Sequence, residues 1–277
     1  MKEVVLETII DSLKLLPFLF VTFIIIEVIE HKINNKKIIT KAGKFGPIIG
    51  SLLGAVPQCG FSVSVTNLYA TRIISLGTLI SIYLSTSDEM VPILISEGAE
   101  LSLILKILGL KIAIGMISGF IIDLIFRKRN EKLEIKDLCE KEHCHCEHGI
   151  LKSSIKHTLS IFLFVFIISL VIHISFHYLG HDILSKILMK DSFISPFICS
   201  LIGLIPNCAS SVALTEFYLS NTLTFGSAMA GLLTGSGVAI MVLFKANKNL
   251  KENLKIVSLV YFIGSISGVI INLIGMV

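Results

Sequence analysis

Charge is scarce in this chain. Only 16% of its 277 residues are Asp, Glu, Lys or Arg, while 53% are apolar. Soluble domains carry roughly 25% charged residues, so this balance belongs to a chain that crosses lipid several times. A mean hydropathy of +0.86 agrees. Other signals are missing too. No Gly-rich phosphate loop of the Walker type occurs, which argues against direct use of ATP. The N-terminus carries Glu3, Glu7 and Asp11 with no small-residue cleavage site, so no removed signal peptide is expected. A disulfide framework is not expected either: Cys59, Cys199 and Cys208 lie in apolar runs, and Cys139, Cys144 and Cys146 in one polar loop. The net charge of +4 falls in loops and calls for no nucleic-acid partner.

What is present is a pattern used twice. Leu53-Gly-Ala-Val-Pro-Gln-Cys-Gly60 and Ile202-Gly-Leu-Ile-Pro-Asn-Cys-Ala209 share Gly, Pro, a side-chain amide and a thiol. Pro57 and Pro206 stand 149 residues apart (206 − 57), as do Cys59 and Cys208. Proline removes a backbone donor and clashes with the preceding turn, so each apolar run must break there. Lipid tolerates such a break only where protein or a water-lined cavity satisfies the freed groups. Paired breaks in two halves point to the binding site of a secondary transporter.

The offset extends well beyond the motifs. Pro47 matches Pro196, Tyr69 matches Tyr218, Gly77 matches Gly226, Lys106 matches Lys255, Gly115 matches Gly264, and Asp123 falls on Asn272. Gene duplication explains this better than shared composition. In the first half, 10–30 and 101–126 are long enough to span, 46–70 breaks near Pro57, and 73–95 is interrupted by Ser85-Thr-Ser-Asp-Glu89 and Pro92. The second half repeats this over 158–178, 194–219, 222–244 and 252–276.

Basic residues cluster at 32–44, at Arg127-Lys-Arg129 and at Lys245, Lys248 and Lys251, which should be cytoplasmic. The loop at 96–100 carries Glu97 and Glu100 and no base, so it should face outside. Equivalent loops then lie on opposite sides. The expected fold is therefore an all-α integral membrane protein of two inverted-topology repeats. Each has spanning helices plus a Pro-broken re-entrant hairpin, at 46–70 and 194–219. A model in which every segment crosses fully would give parallel halves and violate the charge bias. The expected organisation is a first transmembrane repeat at 1–126, a cytoplasmic Cys/His-rich linker at 127–156 and a second repeat at 157–277, with both termini outside.

Candidate ion ligands follow from the breaks. Cys59 and Cys208 would sit at the two hairpin tips, where thiolates suit soft or borderline metals and metalloids. Gln58 and Asn207 offer carbonyl oxygens beside them. Gly60, with Pro57 and Pro206, belongs to the same corners. Asp88 and Glu89 are adjacent carboxylates in an apolar run, and ionisable groups inside a membrane mark ion or proton pathways. A short third segment reaching the outer interface would be the plainer account. Their repeat mates Gly237 and Val238 carry no charge, but Gly235-Ser-Gly237 is equally helix-breaking. One half alone thus holds the acids, which fits a single cation site or a proton-coupling carboxylate. Ser87 and Ser236 are hydroxyl candidates. Ser62, Ser64, Ser210, Ser211 and Thr215 are as well suited to bonding helix backbones.

The linker is a separate object. Cys139, His143, Cys144, His145, Cys146 and His148 put three thiols and three imidazoles into ten residues. Short Cys/His-rich tracts bind metals. The paired C-x2-C units of a structural zinc fold are missing, so a flexible collector is expected.

Ile74-Ser-Leu-Gly-Thr-Leu79, Ser85-Thr-Ser-Asp-Glu89, Pro92, the two Pro-x-Cys motifs and Gly231-Leu-Leu-Thr-Gly-Ser-Gly237 together resemble the ten-transmembrane heavy-metal exporters. Members of that family are variously called arsenic efflux proteins or manganese transporters. The resemblance covers nearly the whole chain. It implies transport of a metal or metalloid across a prokaryotic plasma membrane, and Pro57, Cys59, Asp88, Glu89, Pro206, Asn207 and Cys208 match in place. The expected activity is secondary transport by alternating access, outward, with protons as a candidate coupling ion. No permanently bound cofactor and no enzymatic activity are expected. The partners are the bilayer and a small inorganic ion, with self-association left open. An anion carrier coupled to a cation, with the anion held on opposed half-helix N-termini and the acids coupling the cation, is the main alternative. A channel also fits. An intramembrane enzyme using Cys59 as nucleophile would need a basic partner at depth, and no histidine lies in a matching run.

Overall fold

The computed structural model describes residues 45–56, 59–87, 90–130, 193–206 and 208–275, with isolated positions between 16 and 24 and between 155 and 170. Side chains within these ranges are described except at 59, 127–130, 208 and 209. Among the described residues all regular structure is helical. The first set is α1 (Gly46–Gly54), α2 (Cys59–Ala70), α3 (Leu76–Ser85), α4 (Met90–Ser96) and α5 (Leu101–Asn130). The second is α6 (Ser195–Gly203), α7 (Cys208–Leu219), α8 (Phe225–Thr234), α9 (Ala239–Ala246) and α10 (Leu250–Ile274). Every helix of the second set starts 149 residues after its counterpart.

Local chemistry sets the helix ends in the same way twice. Pro47 and Pro196 open α1 and α6, where a missing N–H costs nothing. Ser75 caps α3 by accepting from Thr78 N at 3.1 Å. Thr224 caps α8 by accepting from Ser227 N at 3.3 Å. A second anchor then holds each of these helix starts: Gly77 N donates to Asp123 Oδ1 at 2.8 Å, and Gly226 N donates to Asn272 Oδ1 at 3.0 Å. Asp123 also accepts from Ser75 Oγ at 2.6 Å. The matched Asp/Asn pair thus fastens the C-terminal parts of α5 and α10 to the first turns of α3 and α8.

Every residue of α3 and of α8 is buried. Long helices flank them and turn large apolar side chains outward: Ile117, Ile121, Leu124 and Ile125 on α5, and Phe262, Ile266, Ile270 and Leu273 on α10. A surface this apolar suits lipid rather than water. Four segments are long and apolar enough to cross a membrane: Leu76–Ser96, Leu101–Phe126, Phe225–Ala246 and Leu250–Ile274. The first and third of these are the interrupted pairs α3–α4 and α8–α9.

Close backbone approach fixes the register. A methyl group at Gly115 would stand 2.7 Å from the Ser81 carbonyl oxygen, and one at Gly119 would stand 2.7 Å from that of Gly77. So α5 runs antiparallel to α3. By contrast α1 runs parallel to α3, because a side chain at Gly46 would run into Thr78 and one at Gly54 into Ser85. The short turn at 71–75 returns α2 to the start of α3. Both outer ends of the α1–α2 pair therefore lie beside the start of α3, and their junction lies beside its end.

Between the two sets, α3 packs on α8, α2 on α9 and, reciprocally, α7 on α4. Lys255 near the start of α10 stands 3.6 Å from the centre of the Phe126 ring at the end of α5's apolar span. Lys106 near the start of α5 stands 5.0 Å from that of Phe225 at the start of α8.

Candidate functional site

The α1–α2 and α6–α7 junctions meet the helix breaks within each set. Ser87, buried in the gap between α3 and α4, donates its hydroxyl to Ala55 O at 2.6 Å, at the α1–α2 junction. In the second set Thr234, the last residue of α8, donates to Ser200 O at 2.9 Å on α6. A side chain at Gly235 would come within 3.9 Å of Gly203 O, where α6 ends. These are the places to which the sequence assigns its site.

The structure places those residues as follows. Ser87 is buried and tied to the first junction. Ser236 is completely buried and its hydroxyl has no hydrogen-bond partner among the described residues. An orphaned buried hydroxyl costs about 1–3 kcal/mol, so one at a helix break is a candidate ligand atom. Gly235 caps α8, and Gly237 has φ +55, a left-handed conformation that glycine adopts without penalty. Pro206 lies in the bend between α6 and α7, and Gly60 is buried in the first turn of α2. Cys59 and Cys208 are the first residues of α2 and α7. Their side chains lie outside what is described, as do Pro57, Gln58, Asp88, Glu89 and Asn207 entirely. Cys139, His143, Cys144, His145, Cys146 and His148 of the linker also lie outside the described residues. Among the described residues no group of three or more His, Cys, Asp or Glu stands close enough to hold a metal.

Most other buried hydroxyls near the breaks are spent on helix backbones. Thr66 donates to Ser62 O at 2.7 Å, Thr86 to Ile82 O at 2.7 Å and Thr215 to Ser211 O at 2.7 Å. This pattern keeps polar side chains satisfied in a helix that water does not reach. Among these hydroxyls, that of Tyr83 lies 2.6 Å from Thr66 Oγ1 and also reaches across to the other half, 3.4 Å from Ala239 O.

Two buried features escape a reading of the sequence. Lys111 is 1% exposed and donates to Leu232 O at 2.5 Å. Its repeat mate is Val260, and that mismatch inside an apolar span is the signal that would have found it. The second is an ion pair. Arg72 donates from Nη1 and Nη2 to Glu252 Oε1 and Oε2 at 2.6 and 2.8 Å, while the Tyr69 hydroxyl donates to the same carboxylate. The partners are separated by 180 residues, and nothing local announces them.

Broken helices buried among long apolar ones define a multi-pass helical membrane protein. The chain belongs to the family described as "Putative, 10TM heavy-metal exporter", whose model matches residues 1–183 and 159–276. No curated protein and no solved structure matches the chain.

Proposed function

We propose that this chain is a secondary active transporter that moves a metal or metalloid ion outward across the prokaryotic plasma membrane by alternating access. Its site lies where the two Pro-x-Cys corners meet the two helix breaks. The observation that carries this reading is the Ser236 hydroxyl, buried without a partner among the described residues at a break that also abuts the α6–α7 junction. Half-helix ends at membrane depth leave carbonyls and N–H groups for ions. Cys59, Cys208, Asp88 and Glu89 would supply charged ligands, with Gln58, Asn207, Ser87 and Ser236 as neutral oxygens. Two carboxylates favour a divalent cation such as manganese or zinc. Arsenite would take the thiols and leave the acids for proton coupling.

Three contacts support inverted repeats. Arg72, beside the start of α3, pairs with Glu252 at the start of α10, and Lys255 at that same end meets Phe126 at the end of α5. At the far end Lys106 near the start of α5 meets Phe225 at the start of α8. The start of one half thus lies against the opposite end of the other. The shared placement of both outer ends of α1–α2 supports a re-entrant hairpin. With this topology Arg127, Lys128, Arg129, Lys248 and Lys251 gather at one end, opposite Glu97 and Glu100, so the basic end is cytoplasmic. The linker at 127–156 then collects metal on the cytoplasmic side.

Purified protein titrated with Mn²⁺ and Zn²⁺ tests the site: Cys59→Ser and Asp88→Asn should each weaken binding. Binding unchanged by both substitutions would remove it. An anion carrier is the second reading, favoured by the absence of acidic residues in the first turns of α2 and α7. Oxyanion uptake untouched by metals, in vesicles with an imposed proton gradient, would select it.

A further inference from the structure

Lys111 is a buried charged group of the centre that the proposed ligand set does not use. It lies ten residues into the 26-residue apolar span Leu101–Phe126. At 1.5 Å per residue that is about 15 Å, the middle of a hydrocarbon core ~30 Å thick. A lysine at this depth is costly and marks an ion pathway by default.

Its position ties it to both breaks. Gly115 on α5 faces Ser81 and Ser85 of α3. Because the helices are antiparallel, Lys111 lies one turn further on, level with the gap that holds Ser87. Across the interface its ammonium donates to Leu232 O, one turn before Ser236 in the second break. In an unbroken helix that carbonyl would accept from Ser236 N. Here Ser236 N turns to Thr234 O at 2.9 Å, so the break leaves Leu232 O for another donor. The end of a half-helix carries partial negative charge, and unwound carbonyls there are where carriers hold their cations.

We infer that Lys111 is a resident counter-cation. Its ammonium occupies the negative pole of α8 while the site is empty, and it must withdraw before a transported cation binds. Cation binding and the Lys111–Leu232 contact are therefore mutually exclusive. A positive charge stays at the breaks in both states, which lowers the barrier to returning the empty carrier. This inference rests on the transport reading given above.

The test titrates full-length protein in nanodiscs with Mn²⁺ alone and Zn²⁺ alone. Removing the competitor by Lys111→Met should tighten binding by about tenfold, the scale of one charge at a partly buried helix end. Lys111→Arg keeps a cation with five donors on the carbonyls and should weaken binding by about tenfold. If both variants melt as the parent does and bind as it does, Lys111 only caps the helix, and the inference fails while the transport reading stands. Weaker binding by Lys111→Met overturns it equally. Should Lys111→Met not fold, Lys111→Arg decides alone: weakened binding supports the counter-cation, and unchanged binding overturns it. If neither the parent nor the variants bind either ion, the divalent-cation form of the transport reading fails and takes this inference with it.

Discussion

The Arg72–Glu252 pair should be the largest single electrostatic contribution joining the two halves. Its side chains are 7% and 8% exposed, so solvent screens little of the attraction. Both carboxylate oxygens are engaged by the guanidinium, and Tyr69 adds a third donor. Removing one partner of such a pair leaves an uncompensated buried charge, at a cost of about 3 kcal/mol or more. Glu252→Gln should therefore destabilise the protein by ~3 kcal/mol in equilibrium unfolding from mixed micelles. Arg72→Asn should cost less, for two reasons. Arg72 has φ +66, a left-handed conformation costing about 1 kcal/mol that asparagine relieves, and its repeat mate Asn221 has φ +56. A buried glutamate can also escape its charge by taking a proton, which an arginine cannot. The double variant should show a coupling energy of about 2 kcal/mol. Singles that add within ~0.5 kcal/mol would refute the claim that this contact holds the halves together.

Asp123→Ala removes two anchoring hydrogen bonds to an ionised group and should cost ~2 kcal/mol, whereas Asn272→Ala removes one neutral bond and should cost ~1 kcal/mol. Asp123→Asn, which imitates the second half, should fall between Asp123→Ala and the parent, and chemical denaturation ranks the three. Single cysteines at Glu97 and Lys251, read against the parent's labelling, should react with an impermeant maleimide from opposite faces of the membrane. Labelling of both from one face refutes the inverted arrangement. Deleting residues 139–148 should reduce the number of Zn²⁺ ions bound per chain in calorimetry while leaving the affinity of the membrane site unchanged.

What could be read from sequence was whatever local chemistry dictates. Helix ends depend on proline, glycine and caps a few residues away, so the interruptions near Pro57, Pro206, Ser85–Glu89 and Gly235–Gly237 were visible without any tertiary contact. The offset of 149 was visible for the same reason, since it needs only matching residues. It even aligned Asp123 with Asn272, although the task they share at the starts of α3 and α8 shows only when those helices are packed. Burial was not legible. Lys111 reads as one polar residue in a long apolar run until α8 covers it, and Arg72 reads as an ordinary turn base until Glu252 arrives from the far half. Serines near the breaks could not be sorted by sequence either. Ser87 proves to be bonded across to Ala55, while Ser236 has no partner among the described residues, and only packing separates those outcomes.

The two halves share a backbone but not a charge distribution, and this mismatch bears on how many ions the protein handles at once. Arg72, Asp88, Glu89 and Lys111 belong to the first half, and their mates are Asn221, Gly237, Val238 and Val260. A duplicated frame with identical charges would present two equivalent sites flanking the α3–α8 contact, and two divalent ions held that close would repel each other strongly in a medium of low dielectric. Stripping the charges from one copy would leave a single electrostatic minimum at the proposed site. The second half would still contribute what backbone geometry alone supplies: a half-helix terminus, a left-handed glycine and a hydroxyl with no partner among the described residues. If the site is the one proposed, one half would set which charge is welcome, and the other would provide a neutral wall with adjustable oxygens. On this argument Val260→Lys, which restores the missing cation on the second half, should weaken divalent-ion binding even though residue 260 is not among the proposed ligands. Unchanged affinity in a folded Val260→Lys protein would show that charge at this depth is not what sets the occupancy of the site.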